Sequence, residues 1–161
     1  MPSLIIRLRK GRDGPSSLSC TRPDGTQTWM RVHDFFPLHD LTHYAVESTL
    51  GLSEAFYGLV LAGWNITDFG TPGAASRTPP EAVHAEHYVS IIQREFFSRD
   101  LKTVEEFNDE MSSFAARMGP FPVRPVSEDE LTEMRAKIHE LANRWRSLTP
   151  GESMEVEFSV A

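Results

Sequence analysis

The chain opens on an alternation. Leu4, Ile6 and Leu8 are separated by Ile5, Arg7 and Arg9, the two-residue period of a strand with one buried face. Gly11-Arg12-Asp13-Gly14-Pro15 ends that strand, and Leu18 and Cys20 begin a second. Arg22-Pro23-Asp24-Gly25 has the composition of a hairpin turn, in which Pro presets φ and Gly accepts a positive one. Thr26 to Val32 is then the returning strand. At the far end Met154, Val156, Phe158 and Val160 alternate with Glu155, Glu157 and Ser159. The first strand carries outward bases and the last outward acids. The two are expected side by side, with Arg7 and Arg9 facing Glu155 and Glu157 across the ladder.

Between the strands the period becomes helical. Pro37 suits a first turn and Gly51 the place just past an end, so a first helix is expected from Pro37 to Leu50. Ser53 can cap a second, running to Trp64; it is apolar on nearly all sides and reads as the central buried helix. Asn65 to Thr78 reads as a loop. Thr78-Pro79-Pro80-Glu81 reads as a capping box that opens a third helix ending near Arg99. Thr103 to Glu106 is a second such box, opening a fourth helix that Gly119 closes. Ser127 to Glu130 is a third. It opens a fifth helix whose Leu131, Met134, Ile138, Leu141, Trp145 and Leu148 form a core stripe, stopped by Pro150-Gly151. Gly119 to Pro125 is the best linker candidate, but too little follows it to argue a second domain. The expected fold is α+β, one domain over residues 1–161: a small antiparallel sheet from the N-terminal hairpin strands and the C-terminal strand, packed against five helices.

Composition narrows the functional classes. At 161 residues, 40% hydrophobic and 24% charged, the chain is an ordinary globular protein. A net charge of −7 argues against a nucleic-acid partner. The single cysteine, Cys20, excludes a disulfide scaffold and a cysteine-based zinc finger, and reads as a small core residue. The longest apolar-rich stretch, Ala55 to Trp64, is about half the ~20 residues a membrane span needs, so no membrane partner is expected. Met1 to Lys10 carries its bases after the apolar run, unlike a secretory signal, and a cytoplasmic location is expected. A small-molecule or peptide ligand and a homo-oligomer both remain compatible with this picture. Neither Ser53 nor Ser98 has the context of a hydrolase nucleophile, and no glycine-rich phosphate loop follows a strand.

One constellation could carry chemistry. His39-Asp40-Leu41-Thr42-His43 places two imidazoles one helical turn apart, so both rings can aim at one point, as two metal ligands must. Around the helix, His39, His43 and Glu47 form a slanting stripe on the flank of the apolar side. A third ligand is sought on the third helix. There His84 and His87 fall opposite the apolar side and read as solvent-facing, whereas Glu86 falls on the flank, so Glu86 is the expected ligand. Glu47 lies two turns from His39, too far to share a metal with it, and suits a role behind the ligands. Zn²⁺ is the expected ion.

The five-residue segment resembles the H-E-x-x-H metal site of zincin peptidases, with Asp40 in place of the glutamate base; Asp is one methylene shorter. The resemblance implies a metal-dependent hydrolase with Asp40 as its catalytic base. Phe36 to Glu47, Phe56-Tyr57-Gly58-Leu59, the Arg22-to-Trp29 hairpin and the Pro150-Gly151 ending also resemble uncharacterised bacterial proteins of similar length. That resemblance implies a bacterial, cytosolic protein and no particular activity. The competing reading is a non-catalytic interaction or structural module. In it, Asp40 serves the helix dipole and the histidines make structural hydrogen bonds.

Overall fold

The computed structural model describes residues 1–33, 36–119 and 121–161. Four strands form one antiparallel sheet in the order β3-β2-β1-β4, from β1 (Ser3–Arg9), β2 (Ser16–Thr21), β3 (Gln27–Val32) and β4 (Ser153–Ser159). The β2–β3 hairpin turns at Arg22 to Gly25, with Gly25 at φ +87° donating its N–H to Arg22 O. Strands β1 and β4 are neighbours, as the complementary charges led one to expect. Arg7 lies opposite Glu155, with Nε 2.6 Å from its carboxylate. The second expected pair does not form: Arg9 faces Ser153, and Glu157 faces Ile5. The strand direction decides this. The two strands are antiparallel, so with Arg7 opposite Glu155 the step on to Arg9 leads to Ser153 and away from Glu157. Leu4, Ile6 and Leu8 lie opposite Phe158, Val156 and Met154 on the inward face.

The inward face of the sheet is covered by helices, so the fold is α+β. They are α1 (Phe36–Leu50), α2 (Phe56–Leu61), α3 (Ala74–Arg77), α4 (Pro80–Ser98), α5 (Val104–Met118) and α6 (Glu128–Ser147), with a 3₁₀ turn over Ile66–Gly70. The five expected helices are present, and the expected loop between α2 and α4 contains the 3₁₀ turn and the one-turn α3. No helix among the described residues is long and apolar enough to cross a membrane.

Three local expectations change. Helix α2 spans only six residues, its N-cap is Ala55 rather than Ser53, and it is not the central helix. Gly58 explains the late start: a Cβ there would sit 2.2 Å from Ser53 O, so Ser53 belongs to a turn folded against the helix rather than to its cap. The central helix is α1, which packs on both α4 and α6 and reaches β4. Its buried residues include Asp40, Thr42, His43 and Glu47, and these polar groups hide its burial from a hydrophobicity pattern. The box at Thr78 does not form either. Thr78 donates its hydroxyl to Ala74 O, and Glu81 accepts from Glu54 N instead of from the helix. The boxes at Thr103 and Ser127 both close as expected.

Pro120 of the expected linker lies outside the described residues. The segment after it is anchored: Tyr88 donates its hydroxyl to Arg124 O, and Val126 exchanges two hydrogen bonds with the Asn108 side chain.

Candidate metal centre

Helix α1 runs against α4, and this contact builds the site. His39 and His43, one turn apart on α1, stand with ring centroids 4.8 Å apart. Glu86 reaches them from α4, with Oε1 3.2 Å from His43 Nε2 and Oε2 3.8 Å from His39 Nε2. One ligand atom from each of the three residues lies within 4.8 Å of the others. The three side chains singled out in the sequence therefore converge. Ligands around a tetrahedral zinc, each at ~2.0–2.1 Å, stand ~3.3 Å from one another, so the three side chains would draw together from their present span to hold an ion. Glu86 has room to move, since its side chain is 59% exposed.

The other ring nitrogens are held from behind. His43 Nδ1 lies 2.9 Å from Glu47 Oε2, and His39 Nδ1 lies 3.0 Å from Gln93 Oε1. An acceptor on Nδ1 fixes the proton there and turns the Nε2 lone pair outward, the arrangement in which imidazole binds a metal. Glu47 is itself anchored, accepting from Tyr57 N at 2.8 Å through Oε1. It is 0% exposed and stands behind the His43 ring. Gln93 was not singled out from the sequence. It lies two turns along α4 from Glu86, on the same face, a spacing that could have found it.

The electrostatics follow from these contacts. Burial pushes the His43 imidazole down, but its hydrogen bonds to Glu47 and Glu86 outweigh that and carry it up to about 10. Burial and the neighbouring His43 hold His39 below its ordinary value. Burial would raise Glu86, but the two imidazoles keep it low. Two nitrogens thus point at one carboxylate, and a cation between them, either a proton or a metal, resolves the arrangement.

Asp40 is not part of the ligand set. It is 7% exposed, burial pushes it up to about 7, and its Oδ2, closed off from solvent, has no hydrogen-bond partner among the described residues. The residue lines a pocket of about 200 Å³ together with His39, His43 and Glu86. The remaining walls are apolar: Leu18, Met30 and Val32 from the sheet, Phe36 from α1, Phe56 from α2, and Ile66 and Phe69 from the 3₁₀ turn. Phe69 packs between Phe56 and Trp64, so the stretch from Trp64 to Phe69 both anchors the loop and walls the pocket. On the other side of His39 and Glu86 lies an open groove of about 810 Å³ that includes Gln93, Arg94, Phe97 and Lys102.

The other histidines stay apart from this cluster. His84 is buried rather than solvent-facing, because the segment at Phe121, Pro122 and Arg124 lies beside it. His87 is half-buried, with its ring stacked on Phe114 at 4.0 Å and Nε2 3.2 Å from Glu110. Cys20 is fully buried, and burial pushes its thiol up to about 12, which suits a core residue and not a nucleophile. Comparison with known proteins adds no relative: no family model, no curated protein and no solved structure matches the chain.

Proposed function

We propose that this chain binds one divalent metal ion, zinc in the first instance, on His39, His43 and Glu86, and that the centre serves hydrolysis. One observation carries the reading. Both Nε2 atoms face one carboxylate while both Nδ1 atoms are occupied from behind, by Gln93 and by the buried Glu47. Three protein ligands beside an open pocket suit a catalytic ion, since a structural site would close its fourth position with protein.

A bound zinc would supply Lewis acidity, polarising a carbonyl and acidifying water. The protein's own groups account for the rest. Glu47 keeps the proton of His43 on Nδ1, and Gln93 does the same for His39. The apolar walls exclude bulk water. Asp40 lines the same pocket and is its one carboxylate outside the three candidate ligands among the described residues, which makes it the group to accept a proton from attacking water.

A second reading rests on the chain of contacts Glu47–His43–Glu86. An imidazolium satisfies both acids, and the site becomes a structural ion pair in a non-catalytic module. Metal content separates the two. Untagged protein should carry about one zinc per chain, lost in the His39→Ala/His43→Ala variant, and excess zinc should raise the melting temperature of metal-stripped wild type. Stripped protein of full stability that zinc does not raise would leave only the structural reading.

A further inference from the structure

The walls of the pocket say what the centre acts on, if the metal reading above holds. We propose that the 200 Å³ pocket is the specificity pocket of the centre: it takes one phenyl-sized or branched aliphatic group, carried next to the carbonyl-type group that meets His39, His43 and Glu86. An apolar cavity of ~150 Å³ is already large enough to hold a benzene ring, so the volume suits one such group and little more. Seven of its lining residues are apolar, and they come from the sheet, α1, α2 and the 3₁₀ turn, so the wall is set by the packing of the whole fold rather than by one loop. Its polar groups are the three candidate ligands and Asp40.

The candidate ligands fix the other half of the occupant. His39, His43 and Glu86 line this same pocket, so the group that meets the metal sits directly beside the apolar walls. An amide with an apolar substituent has both parts: a carbonyl for the metal and a group for the pocket. The open groove beyond His39 and Glu86 leaves room for the rest of a longer chain, so an apolar peptide or acyl-amide fits the site and a small polar metabolite does not.

Two hydroxamates test this by calorimetry on zinc-loaded protein. Acetohydroxamate and benzohydroxamate share the metal-binding group and differ in the ring. Benzohydroxamate should bind roughly ten- to a hundredfold tighter, the gain from burying one Phe-sized ring. Met30 stands at the rim of the pocket, 37% exposed, so Met30→Trp can fill the opening without disturbing the core. It should abolish the preference, bringing benzohydroxamate down to the affinity of acetohydroxamate. Equal affinities in wild type, or a preference that survives Met30→Trp in protein whose melting temperature is unchanged, would overturn the pocket assignment while the metal reading stands. A direct zinc titration with no binding would overturn both.

Discussion

Glu47 is where the stability of the fold and the working of the site meet. Its carboxylate is fully buried and makes two contacts that nothing else can replace, to His43 Nδ1 at 2.9 Å and from Tyr57 N at 2.8 Å. Glu47→Ala leaves both buried groups without a partner. Each costs ~1–3 kcal/mol, so the metal-free protein should lose about 4 kcal/mol, a large part of the 5–15 kcal/mol typical of a folded domain. At ~3 °C per kcal/mol for a chain of this size, the melting temperature should fall by about 12 °C. Glu47→Gln keeps an acceptor for Tyr57 N and loses only the charge behind His43. It should cost less than half as much stability, yet lower zinc affinity by ~10–100-fold, the usual effect of removing a group that orients a metal-bound histidine. The assay is urea unfolding in the presence of chelator, paired with competitive zinc titration. A Glu47→Ala protein within ~0.5 kcal/mol of wild type would refute the claim that this carboxylate anchors α1 to α2. Unchanged zinc affinity in Glu47→Gln would refute its positioning role.

Two further outcomes follow from charges away from the site. Glu95 is buried and accepts from Arg135 at 2.6 and 3.1 Å and from Lys102 N at 2.7 Å, so Arg135→Ala should destabilise by ~3–5 kcal/mol in chemical unfolding. Adding Glu95→Gln should recover part of that loss, and a double variant as unstable as the single one would argue against the stranded charge as its cause. Arg124 holds Glu130 below its ordinary value, and Glu110, though burial opposes it, is held low by Arg94 and Lys102. Both folded carboxylates therefore bind protons less readily than they do in the unfolded chain. Their contribution is complete above the ordinary carboxylate range and is lost as pH falls through the lowered folded values. The urea midpoint should drop between about pH 5 and pH 3, more in wild type than in a Glu110→Gln/Glu130→Gln variant; identical pH profiles would contradict the assignment.

The sheet was legible because its signal is purely periodic. Leu4, Ile6 and Leu8 against Met154, Val156 and Phe158 specify an inward face, and complementary outward charges specify which strands are neighbours. The outward charges did not specify the register: in an antiparallel ladder both pairs form only as Arg7 with Glu157 and Arg9 with Glu155, two residues from the register observed, and an exposed ion pair stabilises too little to impose it. The boxes at Thr103 and Ser127 were readable because nothing competes for their side chains, whereas those of Thr78 and Glu81 are drawn to Ala74 O and Glu54 N. His84 was misplaced for a related reason. A helical wheel reports which side of α4 faces its own core stripe, and it cannot report that a later segment, at Phe121 to Arg124, returns to cover the opposite side.

The centrality of α1 was concealed by the residues that make it interesting. Wheel and hydropathy arguments assign polar positions to water, so a helix with Asp40, Thr42, His43 and Glu47 among its residues ranks below the apolar α2. The structure reverses the order because these groups mostly satisfy one another or the backbone: His43 with Glu47, Glu47 with Tyr57 N, Thr42 with Leu38 O. The spacing of His39 and His43 and the flank position of Glu86 were enough to find the three residues that meet, because that depends only on the helical period and on two helices packing side by side. The pocket depends on how the sheet, α2 and the 3₁₀ turn close over α1, and no local pattern encodes that. The buried polar groups of α1 divide. Thr42, His43 and Glu47 are bonded within the fold, so stability alone can account for them, whereas Asp40 Oδ2 and Thr49 Oγ1 find no partner among the described residues. Of these two, Asp40 belongs to a wall that also holds two imidazoles and Glu86, and a costly carboxyl in that place adds to the convergence of the three side chains as a reason to read the cluster as a working site and not as internal bracing.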